Sequence, residues 1–114
     1  MVFTEIWGPS SSLVFKLALD TGATDTMVSA KLLADIGYDL SSYPIISMTT
    51  GSGIIDAPEV IVSQLAALGQ TRADFSILAH TLPPTATVDG LLGLDFLRGK
   101  VLNIDFRLGK LTLE

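Results

Sequence analysis

A mainly β fold with two short helices is predicted for this chain of 114 residues by three observations. Short apolar runs recur between clusters of Gly, Pro, Ser and Thr, the signature of strands joined by turns. Only two windows carry helix signals. Hydrophobic residues make up 48% of the chain and charged residues 17%, enough apolar surface for a core and some to spare for a partner. The length suits one domain spanning 1–114, and no internal repeat, linker or low-complexity segment divides it.

The elements follow in order. Val2 to Trp7, the turn cluster Gly8-Pro9-Ser10-Ser11-Ser12 and Leu13 to Leu19 form a hairpin. Ser29 is placed to cap a helix over Ala30 to Ile36, and Gly37 to end it. Tyr43-Pro44 opens an extended segment, Ile45 to Met48, which meets the turn Thr49-Thr50-Gly51-Ser52-Gly53. Val60 to Leu68 alternates imperfectly and stops at Gly69; Arg72 to Ala79 resumes as a strand. Leu82-Pro83-Pro84-Thr85 is a loop. Leu92 to Arg98 reads as a short helix ended by Gly99. Val101 to Phe106, the turn Arg107 to Lys110 and Leu111 to Leu113 complete a second hairpin.

Composition removes several function classes. The formal net charge is -5, and the seven basic residues are scattered, so no basic, aromatic-interleaved patch speaks for nucleic acid. Without cysteine there is no thiolate nucleophile or Cys-based metal site, and a sole histidine, His80, builds no multi-His centre. No metal or cofactor is expected. No apolar run approaches the ~20 residues needed to cross a bilayer, and Met1 to Gly8 lacks the features of a signal peptide, so a soluble cytoplasmic protein without membrane contact is expected.

Two segments carry the chemistry. Leu17-Ala18-Leu19-Asp20-Thr21-Gly22-Ala23 ends an apolar strand in a carboxylate on a Gly-containing turn. Asp-Thr-Gly is also a respectable turn sequence in its own right. Yet the strand before Asp20 is apolar enough to be buried, where an isolated carboxylate is costly and more often functional than structural. Far downstream, Asp89-Gly90-Leu91-Leu92-Gly93-Leu94-Asp95 is a hydrophobic-hydrophobic-Gly segment suited to pack beneath such a turn.

With these motifs the chain resembles the retropepsin-like aspartic peptidases, the single-domain relatives of pepsin. The resemblance covers nearly the whole chain. Leu17 to Ala23 is similar to the catalytic strand and loop, and Thr49-Thr50-Gly51-Ser52-Gly53-Ile54 lies where the family has its flap. Gly90 to Leu97, with Leu91, Leu92, Gly93 and Asp95, resembles the structural motif and following helix. The resemblance implies a closed β-barrel of the acid-protease fold, and an endopeptidase that needs no metal and forms no covalent intermediate. Because the chain holds one Asp-Thr-Gly, it also implies a C2 homodimer in which each subunit contributes Asp20. Two carboxyls held that close share one proton: the ionised member activates water and the protonated member donates to the scissile carbonyl. Thr21 would buttress the pair across the dimer, and Gly22 would let the turn close behind the carboxylate. Ala23 has no hydroxyl to offer the pair, which implies an optimum nearer mild acidity than pepsin's.

Gly51 and Gly53 around Ser52 suit a mobile tip that folds over an extended polypeptide, which would bind as an added strand; the same residues suit an ordinary turn. Thr50 and Ile54 flank that tip. Leu19, Ile54, Val88 and Leu91 are candidate apolar walls for substrate side chains, or simply core. Asp25 and Asp95 would bind substrate backbone or cap structure, with capping favoured for Asp95. His80 near Ser76 or Asp74 lacks the Gly-x-Ser-x-Gly context of a hydrolase elbow and reads as structural. Both chain ends are apolar enough to join subunits: Val2, Phe3, Ile6 and Trp7, then Leu111 and Leu113. The competing reading is a non-catalytic dimerisation or peptide-binding module on the same fold. A ligand-holding barrel fits less well, since two helices interrupt the strand pattern.

Overall fold

The computed structural model describes residues 1–50, 53–83 and 85–114, with the side chains of residues 48–50 outside that description. Strands β1 (Val2–Trp7) and β2 (Ser12–Leu19) form the first hairpin, in register from Val2 opposite Leu17 to Trp7 opposite Ser12. Alternation decides which side faces in: Val2, Thr4 and Ile6 of β1 are buried while Phe3 between them is exposed. After β3 (Met27–Ser29) comes helix α1 (Ala30–Asp35). Ser29 caps it, its Oγ accepting from the Leu32 N–H at 3.3 Å, and Gly37 takes a left-handed turn (φ 105°) just past its end. One 3-10 turn, Leu40–Ser42, leads into β4 (Ile45–Thr50).

Strand β5 (Gly53–Ala67) is far longer than the sequence suggests and serves two neighbours. Its first part pairs with β4, from Thr50 opposite Gly53 to Ile45 opposite Pro58. Its remainder pairs with β6 (Gln70–His80), starting at Glu59 opposite Leu78. Pro58, which has no N–H to donate, stands where the partner changes, so its missing donor costs no ladder bond. Leu68 (φ 52°) and Gly69 (φ 75°) both turn left-handed between β5 and β6, the two-residue connection whose twist suits a hairpin.

The helix read over Leu92 to Arg98 is present but shorter. Gly90–Leu92 is a strand, β7, and only Leu94–Leu97 is helical, α2. The helix is thus shorter than read by two residues at its start and one at its end: Leu92 joins the strand that pairs with the open edge of β2, and Gly93 caps the helix. The closing hairpin, β8 (Leu102–Asp105) and β9 (Lys110–Leu113), pairs only with itself among the described residues.

The strand order is β1-β2-β7-β3-β6-β5, and β5 returns to pair with β1 through Glu5 opposite Ala66 and Trp7 opposite Gln64. The sheet therefore closes into a six-stranded barrel, with β4 added outside as the arm of a projecting hairpin. Ile6, Phe15, Leu17, Val28, Leu33, Ile36, Val60, Val62, Leu65, Leu92 and Phe96 lie at zero exposure inside. A smaller core of Met27, Ala57 and Leu78 sits under the β4–β5 hairpin. Among the described residues no helix is long and apolar enough to cross a membrane.

One buried group is badly matched. Thr4 is fully buried and its hydroxyl has no hydrogen-bond partner among the described residues. Thr4→Val keeps the shape and removes the desolvated hydroxyl, so it is expected to raise unfolding stability by about 1–2 kcal/mol, read from urea denaturation.

Candidate active site

Asp20 follows directly on β2, whose last residues run parallel to β7: Leu17 opposite Gly90, Ala18 opposite Leu91, Leu19 opposite Leu92. The Asp20 N–H continues that ladder by donating to the Leu92 carbonyl at 3.0 Å. The chain then turns sharply, with the Ala23 N–H donating to the Asp20 carbonyl at 3.2 Å. Within this turn the Gly22 N–H donates to Asp20 Oδ1 at 2.9 Å, fixing the carboxylate's direction while leaving Oδ2 without a partner among the described residues. A Cβ on residue 22 would stand 3.2 Å from that Oδ1. Glycine therefore leaves room for the carboxylate to settle.

The segment after the turn is stapled to the start of α2. The Leu94 and Asp95 N–H groups donate to the carbonyls of Ala23 and Thr24, at 2.8 and 3.1 Å. Two donors left over at a helix start are thus satisfied by the neighbouring loop. In return the Asp95 carboxylate accepts from the Thr26 N–H (2.9 Å), the Thr26 hydroxyl (2.7 Å) and the Phe96 N–H (2.8 Å). The Thr26 hydroxyl oxygen accepts from the Gly93 N–H at 3.1 Å, so donor and acceptor roles are both used. Gly93 lies so close that a Cβ there would come within 2.7–2.9 Å of backbone atoms of Asp25 and Ala23. Loop and helix start are one rigid unit.

Beside this unit lies a cavity of about 310 Å³, lined by Met27, Ile55, His80, Leu82, Val88 and Leu91. Among the described residues its side chains are aliphatic or a thioether apart from the imidazole, and it is of a size that accepts a side chain.

A family model described as aspartyl protease matches residues 11–96, a span holding both segments. The chain belongs to the aspartyl protease family. In three dimensions it is similar to the retropepsin-like aspartic protease from Rickettsia conorii, with a TM-score of 0.63 at 18% identity over 100% of this chain and 98% of that one. At that identity the likeness is one of fold: the closed barrel with two short helices is the retropepsin-like fold. No curated protein matches the sequence.

In this retropepsin-like chain the residues singled out from sequence fall into distinct places. Asp20 is half-buried, Thr21 and Gly22 are exposed and Ala23 is half-buried at the base of the turn. Leu92 is core, whereas Leu91, one residue away on the opposite face, lines the cavity. Val88 lines it too. Leu19 packs against the main core instead. Ile54 is 74% exposed and turned away, and its neighbour Ile55 takes the wall position by simple alternation. Gly53 is exposed where the projecting hairpin begins. Gly51, Ser52 and the side chain of Thr50 lie outside the described residues.

Asp95 does not cap its helix in the usual way. The N-cap is Gly93, and the Asp95 carboxylate reaches across to Thr26 instead. Asp25 is half-buried with no partner for its carboxylate among the described residues. Sequence reasoning missed Thr26, fully buried yet polar. It also missed Asp89, whose backbone bonds Lys16 and Ser29 and whose carboxylate accepts from the Lys16 N–H at 2.8 Å. Thr26 carried one available signal, a hydroxyl in an otherwise apolar strand start. Among the described residues no cluster of three or more metal-ligating side chains occurs.

Asp95→Ala is expected to destabilise the fold by about 2–4 kcal/mol, because the Thr26 N–H and hydroxyl would be left buried and unpaired. Asp95→Asn should cost less, since its amide oxygen still accepts the hydroxyl. Chemical denaturation of the two variants side by side reads the difference.

Proposed function

We propose that this chain, acting as one domain over 1–114, is an aspartic endopeptidase whose active centre is completed by a second copy of itself. The observation that carries the reading is the Asp20 carboxylate, held on a turn that is bonded to β7 and α2, with one oxygen oriented by Gly22 and the other without a partner among the described residues. Only one such group exists per chain. Two of them related by a two-fold axis would share a proton, and the pair would draw a proton from bound water as it attacks the peptide carbonyl. The protonated partner would donate to the carbonyl oxygen, stabilising the tetrahedral centre. No metal or cofactor enters.

Thr21, exposed at the tip of the turn, would meet its counterpart across the axis. A groove lined by Thr21, Leu94, Leu97, Arg98 and Leu102 opens beside it and leads toward the β8–β9 hairpin. That hairpin exposes Ile104 and Phe106, apolar surface that a second copy would cover. An extended polypeptide would lie between the Asp20 turns and the β4–β5 hairpin, its backbone paired as an added strand. Thr50, Gly51, Ser52, Gly53 and Ile54 would form the covering tip.

The deciding experiment incubates unfolded protein substrates with the chain and with Asp20→Asn at about pH 4 to 7. Cleavage that disappears with Asn supports the enzyme. Cleavage that persists overturns it, and binding without cleavage by both chains returns the non-catalytic module.

A further inference from the structure

His80 is the sole histidine of the chain, and its position differs from that of a core residue. On β6, Ile77 and Ala79 point into the barrel core, whereas Leu78 belongs to the small core under the β4–β5 hairpin. His80, two residues beyond Leu78, shares that second face. There it is half-buried and lines the cavity with Met27, Ile55, Leu82, Val88 and Leu91. Every other side chain of that wall is aliphatic or a thioether. No hydrogen bond to the imidazole is made by any described residue, and the ring borders a recess whose other described side chains offer it no polar group.

The recess also adjoins the reacting centre proposed above. Leu91 pairs with Ala18, two residues before Asp20, and Ile55 belongs to the arm that would cover a substrate. Resting on that reading, we propose that His80 is a specificity-determining residue: the cavity takes one substrate side chain and the imidazole selects one that ends in an oxygen acceptor, Gln or Glu. An imidazole keeps at least one N–H donor in either protonation state, so an acceptor is the group it can always satisfy. The aliphatic walls hold the methylenes of such a side chain. A purely aliphatic side chain fills the same space but leaves the ring donor desolvated and unpaired, and this mismatch is what sites use to discriminate.

The test uses peptide pairs identical except for Gln or Leu at one position, scanned along both sides of the cleaved bond. The expected result is one position at which kcat/KM favours Gln over Leu by about tenfold. His80→Phe, which keeps a flat ring and removes the donor, abolishes or reverses that ratio, while His80→Gln, which restores an N–H, keeps the preference for Gln. The ratio is measured within each variant, so a smaller folded fraction cancels. Cleavage that requires Asp20 with a ratio unchanged in His80→Phe overturns this proposal and leaves the peptidase reading intact. Binding of the same peptides to Asp20→Asn, followed by the ring-proton NMR signal of the one histidine, reads the selectivity without catalysis. Tighter binding of the Gln peptide with a shifted ring signal supports it; an unmoved signal overturns it.

Discussion

Asp20→Asn is expected to lower peptide cleavage about 10³-fold or more, the scale on which general acid–base groups contribute. The substitution keeps size and shape, so the Gly22 N–H still finds an oxygen and the fold should survive with little loss of stability. What would disappear is the proposed capacity to take a proton from water. A sharper result comes from mixing. Combined in equal amounts at a fixed quantity of unmodified chain, the two forms should assort at random, leaving active pairs at about half their starting number. Cleavage should therefore fall to about half, whereas chains acting singly would show no change. Re-equilibrated mixtures assayed at several ratios measure the whole curve, and a flat response defeats the shared centre.

Gly93→Ala should have the next largest effect. The new methyl would press on the Asp25 carbonyl group and the Ala23 oxygen at 2.7–2.9 Å, and these are backbone atoms, which have no rotamer to yield. The loop must shift as a body. Overpacking of this kind costs about 1–3 kcal/mol, and the displacement acts on the turn that carries Asp20. A shift near 1 Å at a reacting group costs about 100-fold in rate. Unfolding stability and kcat/KM measured on one preparation should therefore both fall, with the rate falling more than the folded fraction explains. A variant that loses stability alone would mean that loop and helix start are not rigidly coupled.

Much of this was legible beforehand because strands and turns declare themselves locally. The hairpin of Val2 to Trp7 with Leu13 to Leu19, the Ser29 cap and the Gly37 stop each have a mechanism confined to a few residues, and each holds in the structure. The length of β5 was not legible, since Asp56, Pro58 and Glu59 break the alternation at the point where the strand exchanges β4 for β6. A change of neighbour is a tertiary event. The same holds for β7, a three-residue strand formed against the open edge of β2. At the candidate site, the placement of Asp20 on a turn after an apolar strand was readable from its motif, but the Thr26–Asp95 pair joins positions 69 residues apart and no local pattern announces it. The His80 recess was hidden for a similar reason: four separate segments contribute its wall.

That separation in sequence has a temporal meaning. The turn bearing Asp20 is shaped by contacts to Leu92, Gly93, Leu94 and Asp95, which leave a ribosome long after it does. Until they arrive, the nascent chain holds a carboxyl group on an unsupported bend, and contacts that distant form late and slowly. In a polypeptide still being made, or one cut short before residue 90, the turn lacks the contacts that shape it, so the peptidase proposed above would stay disarmed until those residues are in place.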